Sequence, residues 1–316
     1  MRYVEIDGLR TSVIGLGTWQ FGSREWEYGE AYANETAPAL VRRAVELGIT
    51  MLDTAEGYGP GRSERIIAGA LAAIPPLDRA ELMVATKFMP IAPAEPILAR
   101  QAAGSRRRLG VDSIDLYYAH WPNPFVSVRR TMQALRPLVA TGVVRRVGVS
   151  NYGLEQWRAA ERALRTPVVA NQVRFSLVSP GPARDLVPYA AGQGRLVVAF
   201  SPLGQGLLAA SPGNGAERPQ RSRGLRAASP LRRAGARAAA APLLAAIAEV
   251  AERHGATPAQ VALAWVIRHP NTIAIPGART IDQLEENAAA ANLVLADDEL
   301  TRLSAEAAAF AGRVGG

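Results

Sequence analysis

The stretch Leu82-Met83-Val84-Ala85-Thr86-Lys87 is an apolar run that ends on a charge, and it reads as a strand with a lysine at its tip. Lys87 is the only lysine among 36 basic side chains; the rest are arginines. An ammonium is a compact charge whose pKa responds to burial, whereas a guanidinium is planar and permanently charged. A single lysine at a strand end is therefore a candidate for chemistry, to be weighed against compositional drift towards arginine.

Working outward, short β-branched runs recur at 14–18, 50–53, 115–121, 143–150, 168–173, 196–202 and 272–276. Helical patterns at 37–47, 63–74, 128–140 and 154–164 lie between them, with two more at 242–254 and 257–269. Thr257-Pro258 supplies an N-cap and a first-turn proline. Strands alternating with helices imply a parallel sheet with right-handed crossovers. Eight such strands in 316 residues fit an α/β fold, a (β/α)8 TIM barrel of about 250 residues plus decorations. The decorations are an N-terminal β-hairpin, with Val4-Glu5-Ile6 and 9–14 joined by Asp7-Gly8, and extra C-terminal helices. One of these begins at Thr280 or Asp282, and the last covers 297–310. No break in composition suggests a second domain, so 1–316 reads as a single barrel domain.

One segment stands apart. Residues 209–241 are rich in Gly, Pro, Ser and Arg and carry Arg218, Arg221, Arg223, Arg226, Arg232, Arg233 and Arg237, with Glu217 as the only acid. A loop of this length is expected to be either a lid that orders over a bound phosphate-bearing ligand or a disordered insertion. The net charge of +8 and pI near 10.4 could favour polyanions, but this one loop holds much of the excess, so no nucleic-acid partner is expected. The absence of cysteine excludes disulfides, thiolate metal sites and cysteine nucleophiles. No signal-like apolar core or membrane-length run is present, which leads to the expectation of a soluble, cytoplasmic protein with no membrane partner. Asn34-Glu35-Thr36 is then a chance glycosylation match.

Polar residues collect at the strand ends: Asp53, Lys87, His120, Ser150-Asn151, Gln172 and Ser201, at spacings of 22 to 34 residues. In a barrel all of these emerge on the C-terminal rim, where barrel enzymes keep their active sites. Asp53 and Lys87 can form a buried ion pair, an arrangement better explained by its effect on a neighbour than by stability. Tyr58 is placed to be that neighbour, and a nearby cation is expected to make its phenol a stronger acid. His120 can donate to a carbonyl oxygen from the other side. The set suits protonation of a carbonyl oxygen as it gains electrons, and the electrons imply a nicotinamide cofactor. No metal is expected, since no His-x-x-x-His pair or acidic cluster occurs and only three histidines exist. His254 and His269 fall near helix ends, where a dipole interaction is expected. No Gly-x-Ser-x-Gly elbow or phosphate-loop lysine is present, and Gly15-Leu16-Gly17-Thr18-Trp19-Gln20 fails the Rossmann pattern.

These segments, in this order, resemble the aldo-keto reductase superfamily over nearly the whole chain. The likeness is carried by Gly15-Leu16-Gly17-Thr18, Leu52-Asp53-Thr54-Ala55-Glu56-Gly57-Tyr58-Gly59, Ala85-Thr86-Lys87-Phe88 and His120-Trp121-Pro122. It continues through Val147-Gly148-Val149-Ser150-Asn151, Asn171-Gln172, Ser201-Pro202-Leu203-Gly204-Gln205-Gly206, Ile275-Pro276-Gly277 and Glu286-Asn287. The resemblance implies a catalytic tetrad of Asp53, Tyr58, Lys87 and His120 and direct hydride transfer from NADPH to an aldehyde or ketone. It implies that Ser150, Asn151 and Gln172 hold the nicotinamide carboxamide and that Phe200, in place of a frequent tyrosine, stacks on the ring. Gly17, Thr18 and Asp53 fall in the cofactor-facing segments, and 201–206 would wrap the pyrophosphate. Gly277, Arg279, Gln283, Glu286 and Asn287 would hold the adenosine and its phosphate. Gly277 stands where some members carry a lysine, and Arg279 can supply a fork of donors to a 2′-phosphate instead. Phe175 likewise replaces a frequent tyrosine. Trp19 and Trp121 are the foremost pocket candidates, among the rim residues Trp26, Tyr28, Phe88 and Met89.

The expected partner is thus a small-molecule carbonyl substrate. Two other functions share the fold and tetrad: an NADPH-binding regulatory subunit, and a keto-sugar reductase of a biosynthetic pathway. Oligomeric state is not legible.

Overall fold

The computed structural model describes residues 1–22, 29–209 and 235–314. Strands β1 (Tyr3–Ile6) and β2 (Leu9–Ser12) form the expected hairpin. Its Asp7-Gly8 turn has both residues at positive φ, 52° and 68°, the geometry whose twist suits two-residue hairpins. Eight strands follow: β3 (Leu16–Gly17), β4 (Met51–Asp53), β5 (Met83–Phe88), β6 (Leu116–Ala119), β7 (Val147–Ser150), β8 (Val168–Arg174), β9 (Leu196–Phe200) and β10 (Thr272–Ala274). They pair in chain order, all parallel. A parallel bridge from Ile14 to Ala274 closes the ring, with Gly15 N donating to Ala274 O at 2.8 Å. This is the (β/α)8 barrel.

The helices are α1 (Trp19–Gly22), α2 (Gly29–Ala31), α3 (Ala37–Glu46), α4 (Arg62–Leu71), α5 (Pro76–Ala80), α6 (Glu95–Leu109) and α7 (Val128–Ala140). They continue with α8 (Leu154–Leu164), α9 (Leu186–Gln193), α10 (Ala236–Ala239), α11 (Ala241–His254), α12 (Pro258–Ile267), α13 (Ile281–Ala289) and α14 (Asp297–Val314). Thr257 and Thr280 cap α12 and α13, accepting from Gln260 N and Gln283 N. Helices α6 and α9 were not evident in the sequence. The buried stripe of α6 is Leu98, Ala102, Ser105 and Leu109, half of it small or polar, and α9 is short and contains Pro188. The run 143–150 is strand only from Val147, and β6 stops at Ala119, so His120 and Trp121 lie just beyond it. The segment 209–241, expected to be irregular, is helical at its end, where α10 and the first residue of α11 fall. Its residues 210–234, and with them the expected lid, lie outside the described residues, as do Trp26 and Tyr28.

Side-chain alternation places the chemistry. On β5, Met83 and Ala85 face the barrel interior, while Val84 and Phe88 pack under the helices. Lys87 shares the interior parity, as does Asp53 two residues after Met51 on β4. Ile6 of the hairpin joins the interior layer with Met51, Leu116 and Val198. Gly148 makes room there for Tyr118, since a Cβ would lie 2.5 Å from that ring.

Candidate active site

Lys87 is fully buried, and its ammonium has three partners for three protons. It donates to Asp53 Oδ1 at 2.5 Å, to the Thr54 carbonyl at 2.8 Å and, more loosely, to the Tyr58 hydroxyl at 3.4 Å. Asp53 is fixed from its other side, where Gln172 Nε2 donates to Oδ2 at 2.7 Å. Four elements thus converge on one ion pair: β4, the loop after it, β5 and β8. Burial works against the ammonium, but Asp53 and Tyr58 more than offset it, and the Lys87 pKa is raised. Burial likewise raises the Asp53 carboxyl, opposed by Lys87 and Gln172.

Tyr58 departs from the sequence expectation. Lys87 does lower its pKa, but burial acts more strongly and Asp53 adds to it, so the phenol lies above its ordinary value. Tyr58 therefore keeps its proton at neutral pH, the form a proton donor needs. His120 stands on the other side, its ring 5.8 Å from that of Tyr58 and edge-on to it. Burial, helped by Lys87, lowers the His120 pKa to about 3, so the imidazole is neutral and can donate one hydrogen bond. Trp19 and Trp121 extend this aromatic wall, at 6.4 Å from the Tyr58 ring and 5.0 Å from the His120 ring. Phe88, by contrast, is fully buried against Tyr117 in the outer core, so it packs and lines no pocket. Met89 is half-buried and lies beside Gly57.

The remaining expected residues are placed as follows. Asn151, at φ 61°, donates from Nδ2 to the His120 carbonyl and to Ser150 Oγ. Asn171 donates from Nδ2 to the Tyr152 carbonyl at 2.8 Å. Thr18 is fully buried and keeps its hydroxyl within the protein, donating to the Asp53 carbonyl. Gly17 packs tightly against the residues just after β10, where a Cβ would come 2.7 Å from the Ile275 carbonyl. Phe200 is half-buried with the Arg174 guanidinium over its ring. After it, Ser201, Gly204, Gln205 and Gly206 all have positive φ, and a Cβ on Gly206 would meet open space. Pro202 and Leu203 complete this turn. Within the turn Gly204 N donates to the Ser201 carbonyl and Gly206 N to the Leu203 carbonyl, both at 3.0 Å. The 277–287 segment is braced from within, as Gln283 Oε1 accepts from Arg279 N at 2.9 Å and Asn287 Nδ2 donates to the Gly277 carbonyl at 3.5 Å. Glu286 contributes its carbonyl to Gln260. Gln20 packs on Gly277, so a side chain there would collide with its amide.

The sequence missed Thr54, whose carbonyl receives the third Lys87 contact; a backbone acceptor leaves no mark in the residue types. It also missed Glu56, whose carboxylate accepts from Met89 N at 2.7 Å and ties the loop before Tyr58 to the one after β5. The two other histidines do not act through helix dipoles alone. His254 bonds Glu299 at 2.8 Å, while His269, its pKa lowered by burial, packs among Phe175 and Trp265. Among the described residues no His, Asp and Glu group could hold a metal, and no helix is long and apolar enough to cross a membrane.

Comparison with known proteins shows the family. Residues 13–307 match the aldo/keto reductase family, and the chain belongs to it. It is 46% identical over 311 residues to an uncharacterized oxidoreductase of Mycobacterium tuberculosis, covering 98% of this chain and 94% of the relative. It is 32% identical over 294 residues to the methylglyoxal reductase YeaE of Escherichia coli, covering 92% and 89%. Among solved structures, an aldo/keto reductase from Klebsiella pneumoniae in complex with NADP and acetate superposes with a TM-score of 0.76 at 30% identity, over 96% of this chain and 94% of that one. The glycerol dehydrogenase from Gluconobacter oxydans gives a TM-score of 0.85 at 26% identity, over 98% and 95%.

Proposed function

We propose that this protein reduces an aldehyde or ketone to an alcohol with NADPH, by direct hydride transfer with Tyr58 as the general acid. The observation that carries the reading is the buried Lys87 ammonium, saturated by Asp53, Thr54 and Tyr58. Bound NADPH supplies the hydride. Ser150, Asn151 and Gln172 would hold its carboxamide, Phe200 its ring, the positive-φ turn at 201–206 its pyrophosphate, and the 277–287 segment its adenosine. The chain's own groups do the rest. His120, held neutral, donates to the substrate oxygen and aims it at Tyr58. Tyr58 gives up its proton as charge builds on that oxygen, and the adjacent ammonium stabilises the phenolate that forms. Trp19 and Trp121 exclude water from the substrate. The likeness to a methylglyoxal reductase supports a small carbonyl compound as substrate.

A screen of NADPH oxidation against aldehydes, α-dicarbonyls, keto-sugars and pyridoxal tests this reading. Sustained turnover with at least one class is expected. NADPH binding without turnover of any of them would favour a cofactor-binding subunit.

Two expectations follow from the charges. With the Tyr58 pKa raised, the donor form is present at neutral pH and is lost only as pH rises through the raised value. The kcat/KM profile should therefore be flat across neutrality, with its alkaline limb above the ordinary phenol value of about 10. His120, at about 3, should add no limb near its usual range. An alkaline limb well below the phenol value would contradict this. Second, Arg279→Ala should weaken NADPH binding by about 1.5–3 kcal/mol, as for a lost hydrogen bond to a charged group, and leave NADH nearly unaffected. Equal losses for both cofactors by titration would mean that Arg279 reads no phosphate.

A further inference from the structure

Beside the loop that carries Tyr58 lies a knot of three hydroxyls that the chemistry above does not use. Thr18, Thr54 and Ser63 are all 0% exposed. Thr54 Oγ1 donates to Ser63 Oγ at 2.9 Å, Ser63 Oγ donates to the Thr18 carbonyl at 3.0 Å, and Thr18 Oγ1 donates to the Asp53 carbonyl at 2.8 Å. The Thr18 and Ser63 hydroxyls are also 2.8 Å apart. Each hydroxyl has one proton, and this single direction of donation leaves none of the three unsatisfied. Ser63 is the hub, and its backbone N–H also donates to the Tyr58 carbonyl at 3.3 Å.

One residue in the first turn of α4 thus grips the end of β3, the end of β4 and the loop that carries Tyr58. The next residue fastens the same turn to β5. Glu64 is also 0% exposed, accepts from Thr86 Oγ1 at 2.7 Å and pairs with Arg108 at 2.5 Å. Thr86 directly precedes Lys87. Gly59, at φ 57°, lies so close to the Gly22 carbonyl that a Cβ there would collide with it, which seats the Tyr58 loop on α1. The contact from Tyr58 to Lys87 is long, 3.4 Å, and too weak to fix the phenol by itself. The backbone of its loop therefore shares in placing the phenol, together with the ring contacts to Trp19 and His120.

We propose that Ser63 is a positioning residue, whose hydroxyl hub holds Tyr58 in register with Lys87. The inference rests on the reading of Tyr58 as the proton donor. Displacing a reacting group by a fraction of an ångström to an ångström costs up to about 10²-fold in rate. Ser63→Ala should accordingly lower kcat by about 10- to 100-fold while NADPH affinity, read by quenching of tryptophan fluorescence, stays at the parent value. Amide hydrogen exchange in 55–63 should speed up.

The deciding experiment is a double-mutant cycle with Tyr58→Phe. If Ser63 acts through Tyr58, Ser63→Ala should cause no further loss once the hydroxyl of Tyr58 is gone. The same proportional loss in both backgrounds would overturn the proposal, as would parent-like kcat in Ser63→Ala below its unfolding temperature. Parent-like turnover by Tyr58→Phe alone would overturn the acid assignment, and the proposal with it. Should Ser63→Ala not fold, Thr54→Val and Thr54→Ser decide. The first keeps the side-chain shape and loses the donor, and the second does the reverse. The proposal requires Val to lose far more kcat than Ser, and the opposite order would refute it.

Discussion

Replacing Tyr58 by phenylalanine is expected to cut kcat by at least the ~10²–10⁴-fold that a lost general acid costs, and to leave NADPH binding almost unchanged. The substitution removes one oxygen and keeps the ring that packs between Trp19 and His120. No other described group is placed to replace it. His120, with a pKa near 3, can donate a hydrogen bond but yields no proton reserve at neutral pH. Lys87 is fully buried behind the phenol, and its raised pKa makes it reluctant to give up a proton. Single-turnover kinetics under saturating NADPH would read the step directly. Hydride transfer by Tyr58→Phe at close to the parent rate would assign the acid elsewhere.

Lys87→Arg is expected to be nearly as damaging although the charge is conserved. The ammonium fills a site enclosed by Asp53 Oδ1, the Thr54 carbonyl, the Tyr58 hydroxyl and, at 5.9 Å, the ring of Tyr118. A guanidinium is longer and planar and cannot reproduce the contacts of one compact ammonium with three converging oxygens. It must displace either Tyr58 or Asp53, and a misplacement of this kind costs roughly 10²-fold in rate. Displacing Asp53 would also leave a buried carboxylate short of its partner, so the melting temperature should fall. The two effects are read separately, by kcat and by calorimetry. Parent-like kcat in this variant would return the single lysine to compositional chance.

The sequence was most legible where one physical constraint governs several residues at once. A common strand end pointed to Asp53, Lys87, Gln172 and, one residue beyond β6, His120. The Asp7-Gly8 turn and the Thr257 cap were legible because each residue type suits one local geometry. Helix α6 was not, because its buried stripe is built partly from Ala102 and Ser105, which carry no hydrophobic signal. The direction of the Tyr58 pKa was misjudged for a related reason. The charge of Lys87 can be read from sequence, but the burial that outweighs it depends on the closed barrel. Thr54 and Ser63 act through a carbonyl and a hydroxyl whose partners are distant in sequence, and only the assembled barrel brings them together.

In the proposed reaction hydride passes directly to the carbonyl carbon while Tyr58 delivers the proton to its oxygen. The most direct test of this reaction is turnover of an accepted carbonyl substrate with NADPH deuterated at C4 of the dihydronicotinamide, with the product alcohol analysed by mass spectrometry and NMR. Stoichiometric deuterium on the carbinol carbon from one of the two C4-labelled forms, and none from the other, is the predicted result. Deuterium lost to water, or a product carrying none from either form, would contradict it.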